Sequence, residues 1–278
     1  MEETLRDPEG LLVQPRDPRS AVLVLSGSSG RVEVARVRLL AEHGAAALSY
    51  CWFGDGTMPP GICEIPLESF TPYLDRLAEI SANLAVIGVS KGAEAALLLA
   101  ARDPRIRTVV AIAPTHVVWS NVGPGHDGNT TPWRSSWTWR GEPVPFVPFD
   151  ETWEPPAGQD PVVYEPGYTR SLRVAADQVP AATIPVERIE ASVILVAGGA
   201  DQVWPSTTFA EQIKSRRAEQ GLPTTVVTHP EAGHRIVLPG EGPITGGRLA
   251  QGGTPEANKA LGSLVWSHIR AALHLRPP

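Results

Sequence analysis

The chain has 278 residues, 42% of them hydrophobic and 19% charged, with 24 basic against 30 acidic side chains for a net charge of -6. Such a balance describes a folded chain with one large core and excludes a fibrous or wholly disordered one. The acidic excess and the lack of any Lys/Arg cluster argue against nucleic acid as a partner, because neutralising phosphates needs clustered cations.

Taken from the start, residues 1–10 are charged and carry no apolar segment behind a basic start, so they read neither as a signal peptide nor as a lipidation site. The longest apolar stretch, residues 95–101, is far below the roughly 18 residues needed to cross a bilayer. A cytoplasmic location without membrane insertion is the expectation. Cys51 and Cys63 lack CxxC spacing and are expected as free thiols.

Short apolar segments at 21–25, 45–50, 84–89, 108–112, 192–196 and 224–228 are bounded by Gly, Pro or charges. Their continuous hydrophobicity predicts strands covered on both faces, as in a largely parallel sheet, with 11–13 as an antiparallel edge strand. Helical patterns lie between them at 32–43, 67–81, 91–102 and 207–220, and residues 255–273 close the chain. There, Leu261, Leu264, Val265, Ile269 and Leu273 form an apolar stripe behind the helix start Thr254-Pro255. The alternation is interrupted at 115–190, where Pro, Gly and Trp accumulate and only 169–176 looks helical. A stretch of that length predicts a cap inserted into a single domain spanning 1–278.

The sharpest local signal is Gly88-Val89-Ser90-Lys91-Gly92, a G-x-S-x-G between a predicted strand and a small-residue helix. In a nucleophile elbow the serine occupies a strained turn, and the glycines let strand and helix pass closely. A bland reading makes Ser90 a helix cap. Serine needs an imidazole to take its proton and an acid to orient that imidazole, in the chain order Ser, Asp or Glu, His. Asp201 follows the strand at 192–196 and His234 follows the strand at 224–228, in that order; an Asx turn and an ordinary loop histidine are their bland readings.

Backbone N–H groups are expected to stabilise the oxyanion: that of Lys91, after the nucleophile, and that of Ser28, in the turn Ser26-Gly27-Ser28-Ser29-Gly30. The Lys91 side chain is expected to face solvent. His116, Trp133, Trp137, Trp139 and Trp204 are candidate pocket walls, Trp204 also as a buttress of the acid loop, with the alternative that the aromatics form the cap's own core. Arg134 and Arg140 could meet a carboxylate or phosphate of the substrate. No H-E-x-x-H or EF-hand spacing occurs, so neither metal nor cofactor is expected.

The elbow, the stretch Ile184-Pro185-Val186-Glu187-Arg188-Ile189-Glu190, the turn Gly198-Gly199-Ala200-Asp201-Gln202-Val203-Trp204-Pro205-Ser206 and Pro230-Glu231-Ala232-Gly233-His234 resemble one known domain. It is the catalytic domain shared by acyl-CoA thioesterases and bile acid-CoA:amino acid N-acyltransferase, and residues 131–145 and 252–255 are similar to its cap and terminal-helix start. The resemblance implies an α/β-hydrolase fold, standing alone without the N-terminal β-sandwich of mammalian members. It also implies a Ser-Asp-His set carried by Ser90, Asp201 and His234. Amino-acid-conjugating members use cysteine where Ser90 stands, which tilts the expectation toward hydrolysis of an acyl thioester or carboxylic ester through an acyl-enzyme. Acyl transfer to an amine or alcohol, and a non-catalytic binding module, are the alternatives.

Overall fold

The computed structural model describes residues 1–242 and 249–276. Its N-terminal half runs β1 (Glu2–Arg6), β2 (Glu9–Val13), β3 (Ser20–Leu25), α1 (Val34–Glu42), β4 (Ala45–Tyr50), β5 (Ile65–Pro66), α2 (Thr71–Ile80), β6 (Leu84–Val89), α3 (Lys91–Ala100) and β7 (Ile106–Ile112). The rest runs β8 (Trp137–Trp139), β9 (Glu142–Pro143), α4 (Glu165–Val174), α5 (Val179–Ala182), β10 (Ser192–Gly198), α6 (Ser206–Ala218), β11 (Thr224–His229) and α7 (Pro255–Ala272).

Eight strands form one sheet in the order β1-β2-β4-β3-β6-β7-β10-β11. From β4 to β11 all neighbours are parallel, while β1 with β2 and β2 with β4 are antiparallel. Every residue of β3 and β4 is buried, as an interior strand covered on both faces requires. The pleat divides β3 between two cores. Ala21, Leu23 and Leu25 join Leu74, Leu77 and the α3 leucines, whereas Val22 and Val24 join Val37 and Leu40 of α1 and Leu261, Val265 and Ile269 of α7.

Three sequence expectations change. The segment at 11–13 is not the edge: β1 pairs outside it, with Glu2 opposite Val13 and Arg6 opposite Glu9. The charged run that looks unstructured alone alternates exposed and half-buried positions on that edge, a pattern that discourages further pairing. The helix expected at 67–81 opens as a 3₁₀ turn, Leu67–Phe70, before α2 begins. In α7 Leu264 is exposed, and Trp266 takes its place among the buried residues. At about 100° of rotation per residue, Leu261, Gly262, Val265, Trp266 and Ile269 share one face, and Leu264 falls on the opposite side.

The packing of α7 makes one residue critical. An ideal Cβ on Gly262 would lie 1.8 Å from the carbonyl oxygen of Val237, so helix and loop touch through backbone. Gly262→Ala is therefore expected to lower the unfolding free energy by about 2 kcal/mol, although alanine is the better helix former. Urea denaturation checks this; an unchanged midpoint would mean that the loop yields freely.

The inserted region contributes a small sheet, β5-β8-β9, and an apolar cluster in which its Val117, Trp119, Val147, Ala175 and Ala182 pack with Trp204 and Phe209 from beyond it. Because β5 precedes β6 in the chain, the small sheet also recruits a segment outside 115–190. Among the described residues, no helix is long and apolar enough to cross a membrane.

Candidate active site

Ser90 joins β6 to α3 with φ 56° and ψ -120°, a conformation that costs a non-glycine residue about 1–3 kcal/mol. The surroundings enforce it. A Cβ on Gly88 would lie 2.0 Å from the carbonyl oxygen of Gly92, and one on Gly92 would lie 2.3 Å from that of Ser26. The Ser90 amide donates to Ile112 of β7 at 2.9 Å, and its carbonyl accepts from the amides of Ala93 and Glu94. Strand and helix thus hold the serine at the carboxyl edge of the sheet, where an open α/β sheet forms its crevice.

Asp201 and His234 follow β10 and β11, whose parallel pairing brings their ends together. His234 Nδ1 lies 2.8 Å from Asp201 Oδ2, both side chains being buried. The other carboxylate oxygen accepts from the amides of Val203 at 2.8 Å and Trp204 at 3.2 Å. Asp201 therefore makes the Asx turn and also holds the imidazole. The Trp204 ring stands edge-on to His234 at 5.6 Å and its indole N–H donates to the carbonyl of Ala113, so it buttresses the acid loop. Further ties fix the histidine loop: His234 N to Gln251 O, Ala200 N to Ala232 O and Gly233 N to Asn258 Oδ1, each 2.8 Å.

Ser90 and His234 line one cleft with Gly27, Ser28, Ser29 and Ile112. Its free space is about 50 Å³, and the cleft opens to solvent. Among the described residues, the Ser90 hydroxyl forms no hydrogen bond, and the amides of Ser28 and Lys91 find no acceptor.

The Lys91 side chain corrects the sequence expectation: it is buried, with Nζ 2.7 Å from Glu94 Oε2. Glu94 Oε1 accepts from the Trp137 indole at 2.7 Å and the Trp119 amide at 3.2 Å. Burial pushes the ammonium down and the carboxyl up in pKa, each opposed by its partner's charge. An ion pair on the elbow helix thus ties it to the cap. The signal was present in the sequence as two charges three apart in an otherwise apolar helix.

None of the five candidate pocket residues lines the cleft. Trp137 stacks on Trp52 in the main core, Trp139 lies beside Arg102 and Arg140, and Trp204 belongs to the cap cluster. The half-exposed Trp133 stacks on Phe149. His116 packs against Phe209, where burial lowers its pKa to about 4. Arg134 is taken by Glu64, outside the cleft. The aromatic insert mostly makes core because its irregular backbone has little else to bury. Potential metal donors of Cys63, Glu64 and His126 lie within 4.8 Å of one another, but the carboxylate already carries the Arg134 guanidinium at 2.7 Å.

Sequence order, an elbow serine and the Asp201–His234 contact together define the fold as that of an α/β-hydrolase. The structure of Est1E from Butyrivibrio proteoclasticus, solved with ferulic acid bound, shares that fold with a TM-score of 0.52 and 16% identity, over 97% of this chain and 99% of that one. The family model "BAAT / Acyl-CoA thioester hydrolase C terminal" matches residues 67–248, and the chain belongs to that family. It is 25% identical to human (Homo sapiens) acyl-coenzyme A thioesterase 6 over 92% of this chain, and spans 60% of that relative's length. It is 23% identical to acyl-coenzyme A amino acid N-acyltransferase 2 of Rattus norvegicus, again over 92% of this chain and 60% of the relative.

Proposed function

We propose that the protein is a serine hydrolase of activated acyl groups, thioesters or carboxylic esters, working through an acyl-enzyme on Ser90. The observation that carries this reading is the 2.8 Å contact of His234 with Asp201 in the cleft lined by Ser90. Asp201 accepts a hydrogen bond from Nδ1–H and, by holding that tautomer, leaves Nε2 free to take the serine proton. The Ser90 oxygen attacks the acyl carbonyl, and the N–H groups of Ser28 and Lys91 meet the oxyanion. His234 returns the proton to the departing thiolate or alkoxide. It then draws a proton from water, which releases the carboxylic acid and restores the hydroxyl. The hydrogen bond between Ser90 and His234 must close as substrate fills the cleft, as catalytic contacts commonly do. The region at 115–190 acts as the cap that covers the acyl group, in a single domain spanning the chain.

Serine in the elbow favours water as acceptor. The test offers purified protein p-nitrophenyl esters and acyl thioesters of increasing chain length, with free acid and glycine or taurine conjugate both quantified. Release of acid at an unchanged fraction as the amine is raised is the expected result. Conjugate rising in proportion to amine would make the protein an acyltransferase, and no turnover of any substrate, together with no labelling by a fluorophosphonate, would leave a binding module.

A further inference from the structure

Cys63, Glu64 and His126 come together outside the serine cleft, with a sulfur, a carboxylate oxygen and an imidazole nitrogen all within 4.8 Å of one another. The backbone is arranged so that they meet. Successive side chains of an extended chain point to opposite sides, so neighbours such as Cys63 and Glu64 normally diverge. Glu64 instead has φ 50°, a left-handed conformation that strains any residue but glycine. It is held there from both sides. Ile62 exchanges backbone hydrogen bonds with Val122 at 2.9 and 3.1 Å, and the amides of Glu64 and Ile65 donate to the carbonyls of Ser135 and Ser136. A Cβ on Gly61 would lie 2.3 Å from the Pro124 carbonyl oxygen, so the two segments touch through backbone. In the loop that presents His126, the Asp127 carboxylate accepts from the amides of Asn129 and Thr130 and from the Thr130 hydroxyl, which fixes the turn.

We propose that these three residues form a zinc site that clasps the cap loop at 123–134 to the segment before β5. Thiolate, imidazole and carboxylate are donors suited to zinc, whereas calcium and magnesium take oxygen alone. His126 Nε2 already lies 3.0 Å from Glu64 Oε2, close to the roughly 3.3 Å that separates two such ligands around a tetrahedral ion. Zinc takes the place of that hydrogen bond, and the Cys63 thiol gives its proton to solvent as the sulfur binds. The His126 and Arg134 contacts both use Oε2, and Oε1 meets no donor among the described residues. Arg134 therefore does not close the site; it stays on the carboxylate as the outer partner that ligating carboxylates keep. Cys63 and Glu64 are buried while the His126 side chain is 57% exposed, so the ion enters beside the histidine and water completes the tetrahedron there. No contiguous motif announces the set, because Glu64 and His126 stand 62 positions apart.

Calorimetric titration of freshly reduced protein with Zn²⁺ is expected to show one ion bound per chain, with a higher melting temperature in its presence and no competition from Mg²⁺. Co²⁺ in its place should give the visible bands of a tetrahedral ion and a thiolate-to-cobalt charge-transfer band, which Cys63→Ser removes. His126→Ala, made on an exposed side chain, is expected to weaken zinc binding by more than about a hundredfold, since partners one shell further out are already worth about tenfold to a hundredfold. No binding to the native protein would overturn the site. A zinc ion that survives His126→Ala with undiminished affinity would be an adventitious ion only, and overturns it equally. If Cys63→Ser fails to fold, the cobalt spectrum of the native protein decides: a complex without the charge-transfer band removes the thiolate from the site and the proposal with it. None of these measurements uses turnover, so they stand or fall separately from the hydrolase reading.

Discussion

Ser90→Ala is expected to lower kcat on an acyl thioester or ester by at least about four orders of magnitude, with His234→Ala close behind. Residues that act as one unit in serine hydrolases lose about that much singly, and the losses do not add. The double variant Ser90→Ala/His234→Ala should therefore be scarcely slower than either single one. Asp201→Asn is expected to cost about 10⁴ while leaving most contacts in place, because its oxygen stays with the Val203 and Trp204 amides and its NH2 group then donates to Nδ1, fixing the imidazole in the wrong tautomer. Stability separates the chemistry from the fold. Ser90 stands at φ 56°, so Ser90→Gly, free of that strain, should melt above Ser90→Ala although both are inactive. Steady-state rates and thermal melts read both effects, and a Ser90→Ala protein that retains a tenth of the native rate would end the proposed mechanism.

The second large effect is on stability and lies in the ion pair behind the elbow. Lys91→Met leaves the fully buried Glu94 carboxylate with two N–H donors and no cation. Breaking a buried pair from one side costs about 3–5 kcal/mol, a large part of the 5–15 kcal/mol typical of a domain. The loss has a defined pH dependence. Burial already raises the Glu94 carboxyl above the ordinary carboxylate range, and removing Lys91 removes the main opposing influence. A carboxyl whose folded pKa exceeds its unfolded one contributes stability that is complete below about pH 4.5 and lost as pH rises through the folded value. The deficit of Lys91→Met relative to the native chain should thus grow from pH 5 to pH 8 in urea unfolding. Lys91→Met/Glu94→Gln, which keeps an acceptor for both tryptophan donors without a charge, should recover much of it. A deficit that shrinks with rising pH would mean that Glu94 is not the group left exposed to the loss.

The elbow was legible because its demands are local. Two glycines, a serine and the strand and helix on either side are all written within residues 84–100, and the same backbone clearances reappear as the Gly88 and Gly92 contacts. Asp201 and His234 were found by chain order and by their positions after strands, and β10 and β11 pair in parallel so that the two loops meet. The sheet's central strands were legible for a similar reason: covered on both faces, they read as uninterrupted apolar runs. The β1 strand was not, because three of its five residues are charged and it owes its extension to hydrogen bonds with β2.

Residue type and order along this chain therefore carried the class of fold, the strained serine and the sequence of its partners, since each depends on short-range backbone geometry and periodicity. Which side chains surround that serine was decided only in three dimensions. Lys91 turned inward to pair with Glu94, three residues on, whose other carboxylate oxygen is held by N–H donors of Trp119 and Trp137, 25 and 43 positions beyond it in the chain. Trp137, Trp139 and Trp204 went to packing and Trp133 to a hollow of the cap away from the serine, while Arg235, inconspicuous in a linear reading, lines the cleft with no ion-pair partner among the described residues. Burial and pairing are properties of surfaces assembled from distant segments, and no local pattern reports them.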